Sequence, residues 1–263
     1  MANYTFPLPP FGSTTFTAPV AGTDDVISAN AALDFTINGN GGNDVVKTSS
    51  GNDTITTGSG DDKIVAGNGN NTVTGGDGKN SVTSGSGDDT ITTGSGADVI
   101  KSGGGNDIIT SGAGNDLIES GAGNDTVNAG AGNDSIRGGA GIDALTGGGG
   151  HDTFVYGSLA NAKLGADTIS DFSTSNPRQA GEGDKLDLRG LVDDFTSAHG
   201  GSLAQLVASG HLDFSAGGGG TVISFDSNGS ASGGSIGVLA TLAGVGFSTE
   251  AAAVLAFGDN ILV

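Results

Sequence analysis

Residues 96–136 read GADVIKSGGGNDIITSGAGNDLIESGAGNDTVNAGAGNDSI, and a Gly-x-Asp-x-apolar pattern recurs in them every nine residues. With Asn replacing Asp in two repeats, the pattern holds thirteen times without interruption between residues 42 and 154. A fixed short period is typical of a solenoid, in which each unit stacks on its neighbours. The repeated glycines are Gly42, Gly51, Gly60, Gly69, Gly78, Gly87, Gly96, Gly105, Gly114, Gly123, Gly132, Gly141 and Gly150. The apolar positions are Val46, Ile55, Ile64, Val73, Val82, Ile91, Ile100, Ile109, Ile118, Val127, Ile136, Leu145 and Phe154.

Each repeat consists of a turn followed by a very short strand. In residues 111–119 (SGAGNDLIE), the glycines, the Asn and the Asp favour turns and tolerate positive φ. The last three residues form a strand with one apolar side chain inward and its neighbours outward. Two repeats, or 18 residues, make one turn of a flattened coil, and successive turns stack as two parallel sheets. The sequence therefore predicts an all-β fold, a parallel β-roll (a right-handed β-solenoid) with Val, Ile and Leu between the sheets.

The composition excludes several classes of partner and of site. The 263-residue chain has a formal net charge of −20 with 9 basic residues, which argues against nucleic acid and anionic membranes and favours cations. It contains no cysteine, so disulfides and thiolate metal sites are excluded and oxygen ligands remain. No apolar run approaches the roughly 18 residues that a membrane-spanning helix needs.

The predicted stacking brings carboxylates of like charge together. Aspartates of every second repeat would lie one strand spacing apart, about 4.8 Å, where two unit charges repel by roughly 1 kcal/mol even in water. A seam of single apolar side chains is thin, so we expect the repeats to need counter-ions. Calcium accepts carboxylate and carbonyl oxygens in flexible geometry, whereas magnesium demands a tighter octahedron and keeps its waters. The repeats therefore predict several bound calcium ions.

These residues strongly resemble the calcium-binding nonapeptide repeats of RTX proteins, whose pattern is Gly-Gly-x-Gly-x-Asp-x-apolar-x. The resemblance implies that each ion lies between one repeat and the second repeat after it. The earlier repeat would supply its Asp and the carbonyls four and two residues before that Asp. The later repeat would supply its Asp and the carbonyls five and three residues before it. For the Asp98/Asp116 site, the carbonyls would be those of Gly94, Gly96, Ser111 and Ala113.

That rule implies about seven strong calcium sites, because seven pairs keep both aspartates. They are Asp44/Asp62, Asp89/Asp107, Asp98/Asp116, Asp107/Asp125, Asp116/Asp134, Asp125/Asp143 and Asp134/Asp152. Asn71 and Asn80 depart from the pattern and are expected to weaken four neighbouring sites, each of which keeps one Asp, such as Asp53. The predicted backbone ligands are Gly85, Gly87, Gly94, Gly96, Ser102, Gly103, Gly104, Gly105, Ser111, Gly112, Ala113, Gly114, Ser120, Gly121, Ala122, Gly123, Ala129, Gly130, Ala131, Gly132, Gly138, Ala140, Gly147 and Gly149.

Three regions are expected along the chain: an N-terminal arm or cap over residues 1–24, the β-roll over residues 25–156, and a mainly β C-terminal region over residues 157–263. Short Pro- and Phe-rich arms cannot fold alone, so the first region is expected to cover the first turn of the roll, with docking on a neighbouring subunit as the alternative. In the last region we expect strands at residues 167–172 (DTISDF), 183–188 (GDKLDL) and 221–225 (TVISF), and short helices at residues 202–209 and 250–257.

The C-terminal region resembles the target domain of type I secretion substrates. The resemblance depends on DTFVY at residues 152–156, DTISDF, GDKLDL and an apolar C-terminus. It implies an uncleaved export signal that the type I secretion apparatus recognises. The N-terminal residues have neither the basic region nor the apolar core of a cleaved signal peptide, as that route would lead us to expect. Another interpretation is a β-rich cap on the open end of the roll.

Catalytic machinery is not expected. The chain has no HExxH zinc-protease motif. Residues 233–237 (GGSIG) match the G-x-S-x-G nucleophile motif, but His151, His199 and His211 all precede Ser235, whereas hydrolases of that class place the His afterwards. We therefore predict a protein that is not an enzyme.

The sequence favours a secreted calcium-binding protein, extracellular or at the cell surface, with a structural role and self-association into an S-layer-like array or a filament. One alternative is the C-terminal secretion and folding module of a large RTX adhesin. Another is an ice-binding solenoid, because Thr54/Thr56, Thr72/Thr74 and Thr90/Thr92 form T-x-T pairs on alternate repeats. Threonine is also a good strand former, and this pattern changes to Ile108/Thr110 in the next repeat on that face.

Overall fold

The computed structural model describes residues 2–6, 15–17, 22–29, 32–157, 166–173, 183–191, 193, 212–217, 220–226, 236–243, 245 and 261–262. Within these residues, almost all regular structure is β, in two sheets. The first sheet contains, in spatial order, β1 (Ala2–Phe6), β3 (Asp25–Ala29), β5 (Val45–Lys47), β7 (Lys63–Val65), β9 (Ser81–Thr83), β11 (Val99–Gly104), β13 (Leu117–Ala122), β15 (Ser135–Ala140), β17 (Thr153–Val155), β19 (Lys185–Asp187) and β23 (Ile261–Leu262). The second contains β2 (Thr15–Thr17), β4 (Thr36–Asn38), β6 (Thr54–Thr56), β8 (Thr72–Gly76), β10 (Thr90–Thr93), β12 (Ile108–Ala113), β14 (Thr126–Ala131), β16 (Ala144–Gly149), β18 (Asp167–Ile169), β22 (Ile236–Ala243), β21 (Gly220–Asp226) and β20 (Leu212–Gly217).

Successive repeats alternate between the two sheets, so each strand pairs with the strand one full turn away. Ile100 pairs in parallel with Ile118, and Ile109 pairs with Val127. Both offsets are 18 residues, which is twice the sequence period. The predicted β-roll of stacked parallel strands is therefore confirmed.

The apolar position of every repeat forms the core between the sheets. All thirteen of these side chains, from Val46 to Phe154, are at most 1% exposed. The seam continues beyond the repeats, since Ile27 and Ile37 lie before it and Ile169 and Leu186 lie after it, all buried. The strand pleat turns the residues on either side of this apolar position outward.

Tight glycine turns join the strands at the two edges of the roll. Gly114 has φ +144° and Gly132 has φ +148°, a region that L side chains rarely adopt. The chain also approaches the turn below it closely, because a Cβ built on Gly132 would overlap the carbonyl oxygen of Gly114. Only glycine satisfies both conditions, which explains its strict position two residues before Asp134.

A ladder of Asn and Asp side chains runs along the outside of these turns. Each member is the residue just before a repeat Asp or Asn, and its side-chain oxygen accepts a hydrogen bond from the backbone N–H 18 residues later. Asn52 Oδ1 accepts from Asn70 N at 2.8 Å, and Asn70 Oδ1 accepts from Asp88 N at 3.0 Å. These exposed side chains therefore link neighbouring turns by hydrogen bonds that require no ion.

Strands from both ends of the chain extend the two sheets. β1 and β2 pair in parallel with β3 and β4, ahead of the first repeat. At the other end, β18 pairs with β16, β19 pairs with β17, and β20, β21 and β22 form an antiparallel meander beyond β18. The expected strands at residues 167–172, 183–188 and 221–225 are therefore present. Because both sheets continue through residues 24 and 156, the domain boundaries placed there remain predictions.

A helical segment after the repeats is not among those expected from the sequence. Residues 189–191 are helical, directly after β19, where no helix is expected from the sequence. The expected helices at residues 202–209 and 250–257 lie outside the described residues. The nucleophile-like motif at residues 233–237 also lies largely outside them.

Candidate metal centre

Every repeat places its Asp or Asn at the same point, between the glycine turn and the strand. The strand pleat then directs the apolar residue into the seam, and the side chain two residues earlier lies at the edge of the same interior. The eleven aspartates are at most 2% exposed: Asp44, Asp53, Asp62, Asp89, Asp98, Asp107, Asp116, Asp125, Asp134, Asp143 and Asp152. Since repeats alternate between the sheets, these side chains form two rows, one along each edge of the roll.

One carboxylate oxygen of each buried Asp has a partner in the protein. Asp116 Oδ1 accepts a hydrogen bond from the backbone N of Asp98 at 2.8 Å, and Asp134 Oδ1 accepts from the N of Asp116 at 2.8 Å. The seven Asp/Asp pairs predicted from the sequence are all joined in this way, at 2.7–2.9 Å. The structure therefore brings together the two carboxylates of each predicted pair.

The second carboxylate oxygen has no such partner. In all eleven aspartates Oδ2 is buried and accepts no hydrogen bond. Ser or Thr hydroxyls lie beside six of these carboxylates and partly offset the rise that burial causes in their pKa. Each of these hydroxyls, however, donates its hydrogen to a backbone carbonyl 18 residues later, as Thr57 Oγ1 does to Gly75 O at 2.9 Å. A buried carboxylate oxygen without a donor costs several times more free energy than an ordinary satisfied polar group. Eleven equivalent orphaned atoms in two rows indicate a positively charged group that the chain does not itself supply.

The hydrogen bonds of Asn71 and Asn80 show which atoms lie opposite the position that Oδ2 occupies in an Asp repeat. Asn71 Nδ2 donates to the carbonyl oxygens of Gly69 at 2.9 Å and Gly67 at 3.3 Å. Asn80 Nδ2 donates to the carbonyl oxygens of Gly76 at 2.9 Å and Gly78 at 3.2 Å. These are the carbonyls four and two residues before the side chain. In an Asp repeat, the same position holds an oxygen against oxygens, so a cation, a proton or a water molecule must bridge them.

Hydrogen bonds join the backbone groups that carry the predicted carbonyl ligands of the earlier and the later repeat. At the Asp98/Asp116 site, Gly94 O accepts from Ala113 N at 2.8 Å, and Ala113 O accepts from Gly96 N at 2.7 Å. Ser111 O accepts from the Thr93 hydroxyl at 2.8 Å. A carbonyl oxygen has two lone pairs, so each of these keeps one for a further ligand.

Burial changes the proton affinity of the two rows. It raises the pKa of Asp44 to about 7 and the pKa values of Asp125, Asp134 and Asp152 to about 6. Neighbouring carboxylates add to the increase, as Asp143 does for Asp125. Burial also raises the pKa of Asp53, Asp62, Asp89, Asp98, Asp107 and Asp143. Both causes disfavour the charged carboxylate, and a bound cation would offset both.

After the last repeat, the rows continue to two residues that were not predicted as ligands. Asp167 Oδ1 accepts from the backbone N of Asp143 at 3.0 Å, and Asp184 Oδ1 accepts from the N of Asp152 at 2.9 Å. They are 24 and 32 residues further along the chain, so they do not follow the nine-residue period. The available signal was Asp-x-apolar, in Asp-Thr-Ile at residues 167–169 and Asp-Lys-Leu at residues 184–186.

No three His, Cys, Asp or Glu side chains converge on a common point within the described ranges. This is expected of a site with two carboxylates, in which backbone carbonyls supply the other ligands. A hard cation such as calcium fits that donor set, because carbonyl and carboxylate oxygens are its preferred ligands. The carbonyl cage has no nitrogen or sulfur atom that would favour a transition metal.

Of the three histidines, only His151 is among the described residues. Its Nδ1 accepts a hydrogen bond from Gly183 N at 3.1 Å, and its backbone N donates to Asn133 Oδ1 at 2.9 Å. His151 therefore occupies an Asn position in the outer ladder and joins the repeats to the segment that carries Asp184. No helix in the described part of the chain is long and apolar enough to cross a membrane.

Substitutions at the glycine turns provide a direct test of how closely successive turns stack. Replacing Gly132 by Ala should destabilise the protein by roughly 1–3 kcal/mol from backbone strain alone, because φ is +148° and the new Cβ would overlap Gly114 O. Gly149→Ala is the matched control, since a Cβ there meets nothing within 4 Å. Thermal unfolding in saturating calcium would measure both variants. Equal transition temperatures for the two would contradict the close stacking of the turns.

Comparison with known families agrees with the geometry of these rows. Eight overlapping segments match the family described as the RTX calcium-binding nonapeptide repeat (4 copies), and together they span residues 38–161. The segments are residues 38–73, 56–91, 65–100, 83–118, 92–127, 101–136, 119–154 and 128–161. No curated protein is found to match the chain. Residues 38–161 therefore consist of RTX calcium-binding nonapeptide repeats.

Proposed function

We propose that this chain is a secreted protein whose β-roll folds around calcium and serves a structural, non-catalytic role. The observation that carries the proposal is the set of eleven buried Oδ2 atoms without a donor, arranged in two rows. Each lies where the two Asn repeats place an amide against carbonyl oxygens. Calcium would supply the positive charge that joins these oxygens, and the chain supplies a rigid frame that spaces them.

The proposed ligands follow the pairing of the carboxylates. Seven ions would lie at the seven Asp/Asp pairs of the repeats, with the backbone ligands predicted from the sequence. Asp143 and Asp167 are a further candidate pair, because Asp143 Oδ2 is an orphan and Asp167 Oδ1 is bonded to the Asp143 backbone. The last pair, Asp152 and Asp184, differs because Asp184 Oδ2 accepts from Ser173 N at 2.7 Å. The second oxygen of Asp184 therefore already accepts a hydrogen bond from the protein, unlike Oδ2 of the repeat aspartates.

The RTX repeats and the negative net charge of the chain support an extracellular location. RTX repeat proteins are typically secreted, and the charge of −20 leaves many carboxylates that calcium can neutralise. Extracellular modules bind calcium at roughly 0.1–1 mM, so folding would follow export. We propose the type I secretion apparatus as the export partner, through the C-terminal residues that resemble its substrates.

A structural role agrees with how the buried polar side chains of the repeats are used. Each buried aspartate accepts a hydrogen bond from the backbone, and the buried Ser and Thr hydroxyls beside the rows donate to backbone carbonyls, as Ser102 Oγ does to Ser120 O at 2.6 Å. His151, the one described histidine, uses Nδ1 to accept from Gly183. The repeats are thus best explained as a scaffold.

We further propose that the folded protein self-associates. The outer face of the second sheet carries two files of threonine in register, Thr15–Thr36–Thr54–Thr72–Thr90 and Thr56–Thr74–Thr92–Thr110. This regular face is suited to packing against another copy, and bound calcium would cancel much of the charge that keeps copies apart. Contacts between different surfaces of two copies would propagate into filaments or arrays.

Two alternatives differ from this proposal in the whole protein they imply. In a large adhesin, the same roll would be a secretion and folding module, and self-association would not be needed. An ice-binding role would use the threonine files, yet Thr90 pairs next with Ile108 and the file ends there. Threonine occupies both files over only three rungs, from Thr54/Thr56 to Thr90/Thr92, which is short for that task, so lateral packing is the better explanation.

Light scattering on the full chain tests the structural role. In millimolar calcium, we expect the mean mass to rise above the 25.2 kDa of one chain as the protein concentration increases. Magnesium at equal concentration is the control for ionic strength, and it should leave the mass unchanged. A strictly monomeric species in calcium at high protein concentration would favour the adhesin module instead.

A further inference from the structure

Two neighbouring repeats carry Asn where the others carry Asp, and they interrupt both rows at the same level of the roll. Asn71 precedes β8 in the second sheet, and Asn80 precedes β9 in the first. Both side chains are buried, at 1% and 2% exposure. Unlike the Asp repeats, neither leaves a buried polar side-chain atom without a partner.

The orientation of each amide follows from what surrounds it. Asn71 Oδ1 accepts from the backbone N of Asp53 at 3.0 Å, and Asn80 Oδ1 accepts from the N of Asp62 at 3.1 Å. Nδ2 faces two carbonyl oxygens in both repeats. Exchanging the two amide atoms would set oxygen against carbonyls and N–H against N–H, so only this arrangement is satisfied.

The amide therefore does locally what an ion would do between an Asp and its carbonyls. Its two N–H groups point at the carbonyl oxygens of Gly67 and Gly69, which are the expected ligands from the earlier repeat of the Asn71/Asp89 site. Asn80 does the same with Gly76 and Gly78 at the Asn80/Asp98 site. In these two sites, the oxygens that would coordinate calcium are already joined by hydrogen bonds.

The four sites that involve an Asn consequently fall into two kinds. In Asp53/Asn71 and Asp62/Asn80, the earlier repeat keeps its Asp, and both Asp53 Oδ2 and Asp62 Oδ2 remain orphaned. Those two sites retain a carboxylate that needs a cation. In Asn71/Asp89 and Asn80/Asp98, the earlier repeat has no orphaned oxygen. The sequence pattern alone treats all four as equally weakened.

We infer that the Asn71 and Asn80 amides take the place of calcium ions at the Asn71/Asp89 and Asn80/Asp98 sites, so that this turn of the roll closes without metal. The inference rests on the proposed calcium-binding function of the other pairs. It divides each row of ions in two, with one group on the side of Asp44 and Asp53 and another from Asp89 and Asp98 onward. It also removes two negative charges from the level where the groups meet.

Changing each amide to a carboxylate tests the inference by counting ions. Asn71→Asp and Asn80→Asp should each raise the calcium stoichiometry by one, and the double variant by two, measured by native mass spectrometry in saturating calcium. Asn70→Asp is the matched control. It adds the same charge one residue away, but Asn70 is exposed, and an Asp there keeps the oxygen that accepts from Asp88 N. The control should bind as many ions as the wild type.

A second pair of variants separates an ion substitute from a neutral spacer. Asn71→Ala leaves the carbonyls of Gly67 and Gly69 without a donor, so its transition temperature in saturating calcium should fall below that of Asn70→Ala. Equal temperatures, or an unchanged ion count in Asn71→Asp and Asn80→Asp, would overturn the inference. A wild type that binds no calcium would instead overturn the proposed function, so the two failures are distinguishable.

Discussion

Withdrawing calcium at neutral pH is expected to abolish most of the β-structure of residues 38–161, and returning calcium is expected to restore it. The stacked aspartates of each row are one turn apart, and each holds a buried Oδ2 without a donor. Two unit charges at about 4.8 Å repel by roughly 1 kcal/mol in water and by more where water is excluded. The repulsion accumulates along both rows.

The remaining interactions are too few to oppose this repulsion. The seam contains one apolar side chain per repeat, such as Ile100 or Ile118, while every residue of the turns must also be ordered. The turn closed by Asn71 and Asn80 adds only Val73 and Val82 to the seam, so it cannot keep the rest of the roll folded. An ion that binds only the folded chain shifts the equilibrium by mass action.

Far-UV circular dichroism measures this prediction directly. Protein in chelator should show mostly disordered signal, and a calcium titration should produce β-structure with a midpoint in the roughly 0.1–1 mM range of extracellular modules. Magnesium at the same concentrations should restore much less, because it fits an octahedral site and keeps its waters. A full β spectrum in chelator at neutral pH would show that the rows fold without a cation.

Much of the fold was predictable because a single period determines both the strand positions and the carboxylate positions. Repeats of nine residues place Ile100, Ile109 and Ile118 alternately in two sheets, and the strand pleat directs each inward. The same spacing fixes the aspartates at the turn edge. Both results follow from the repeat alone, because the same contacts recur between each repeat and the repeat that stacks on it.

What the sequence did not predict lies where that translation fails. Asp167 and Asp184 continue the two rows at offsets of 24 and 32 residues, with extra residues inserted between strands that still pair in register. Such insertions break the nine-residue period, so the period does not identify Asp167 and Asp184. The short Asp-x-apolar signal is too common by itself to identify them.

The difference among the Asn-containing sites required atomic geometry. An Asn differs from an Asp by one donor group, and the sequence gives no indication of which carbonyls that group meets. Once Asn71 Nδ2 lies 2.9 Å from Gly69 O, its role changes from a weakened ligand to a replacement for the ion. Side-chain identity thus predicted that the sites differ, and only the hydrogen bonds showed how.

Acidification is expected to substitute in part for calcium. In the folded chain, burial raises the pKa of Asp44 to about 7 and those of Asp125, Asp134 and Asp152 to about 6, from an ordinary value of 3.8. A group whose pKa is higher when folded binds protons more tightly in the folded state. Its stabilising effect is therefore complete below about pH 4 and is lost as the pH rises through about 6–7.

Metal-free protein should consequently gain β-structure as the pH falls from neutral to about 5, with the increase centred near the raised pKa values. Calcium should have less effect on folding at the lower pH, because protons compete for the same carboxylates. Circular dichroism on protein stripped of metal by a chelating resin would measure both trends, since soluble chelators lose affinity in acid. The pH must stay above the isoelectric point of about 4.1, with light scattering to exclude aggregation. A loss of β-structure on acidification would mean that the two rows do not hold the buried, mutually repelling carboxylates described here.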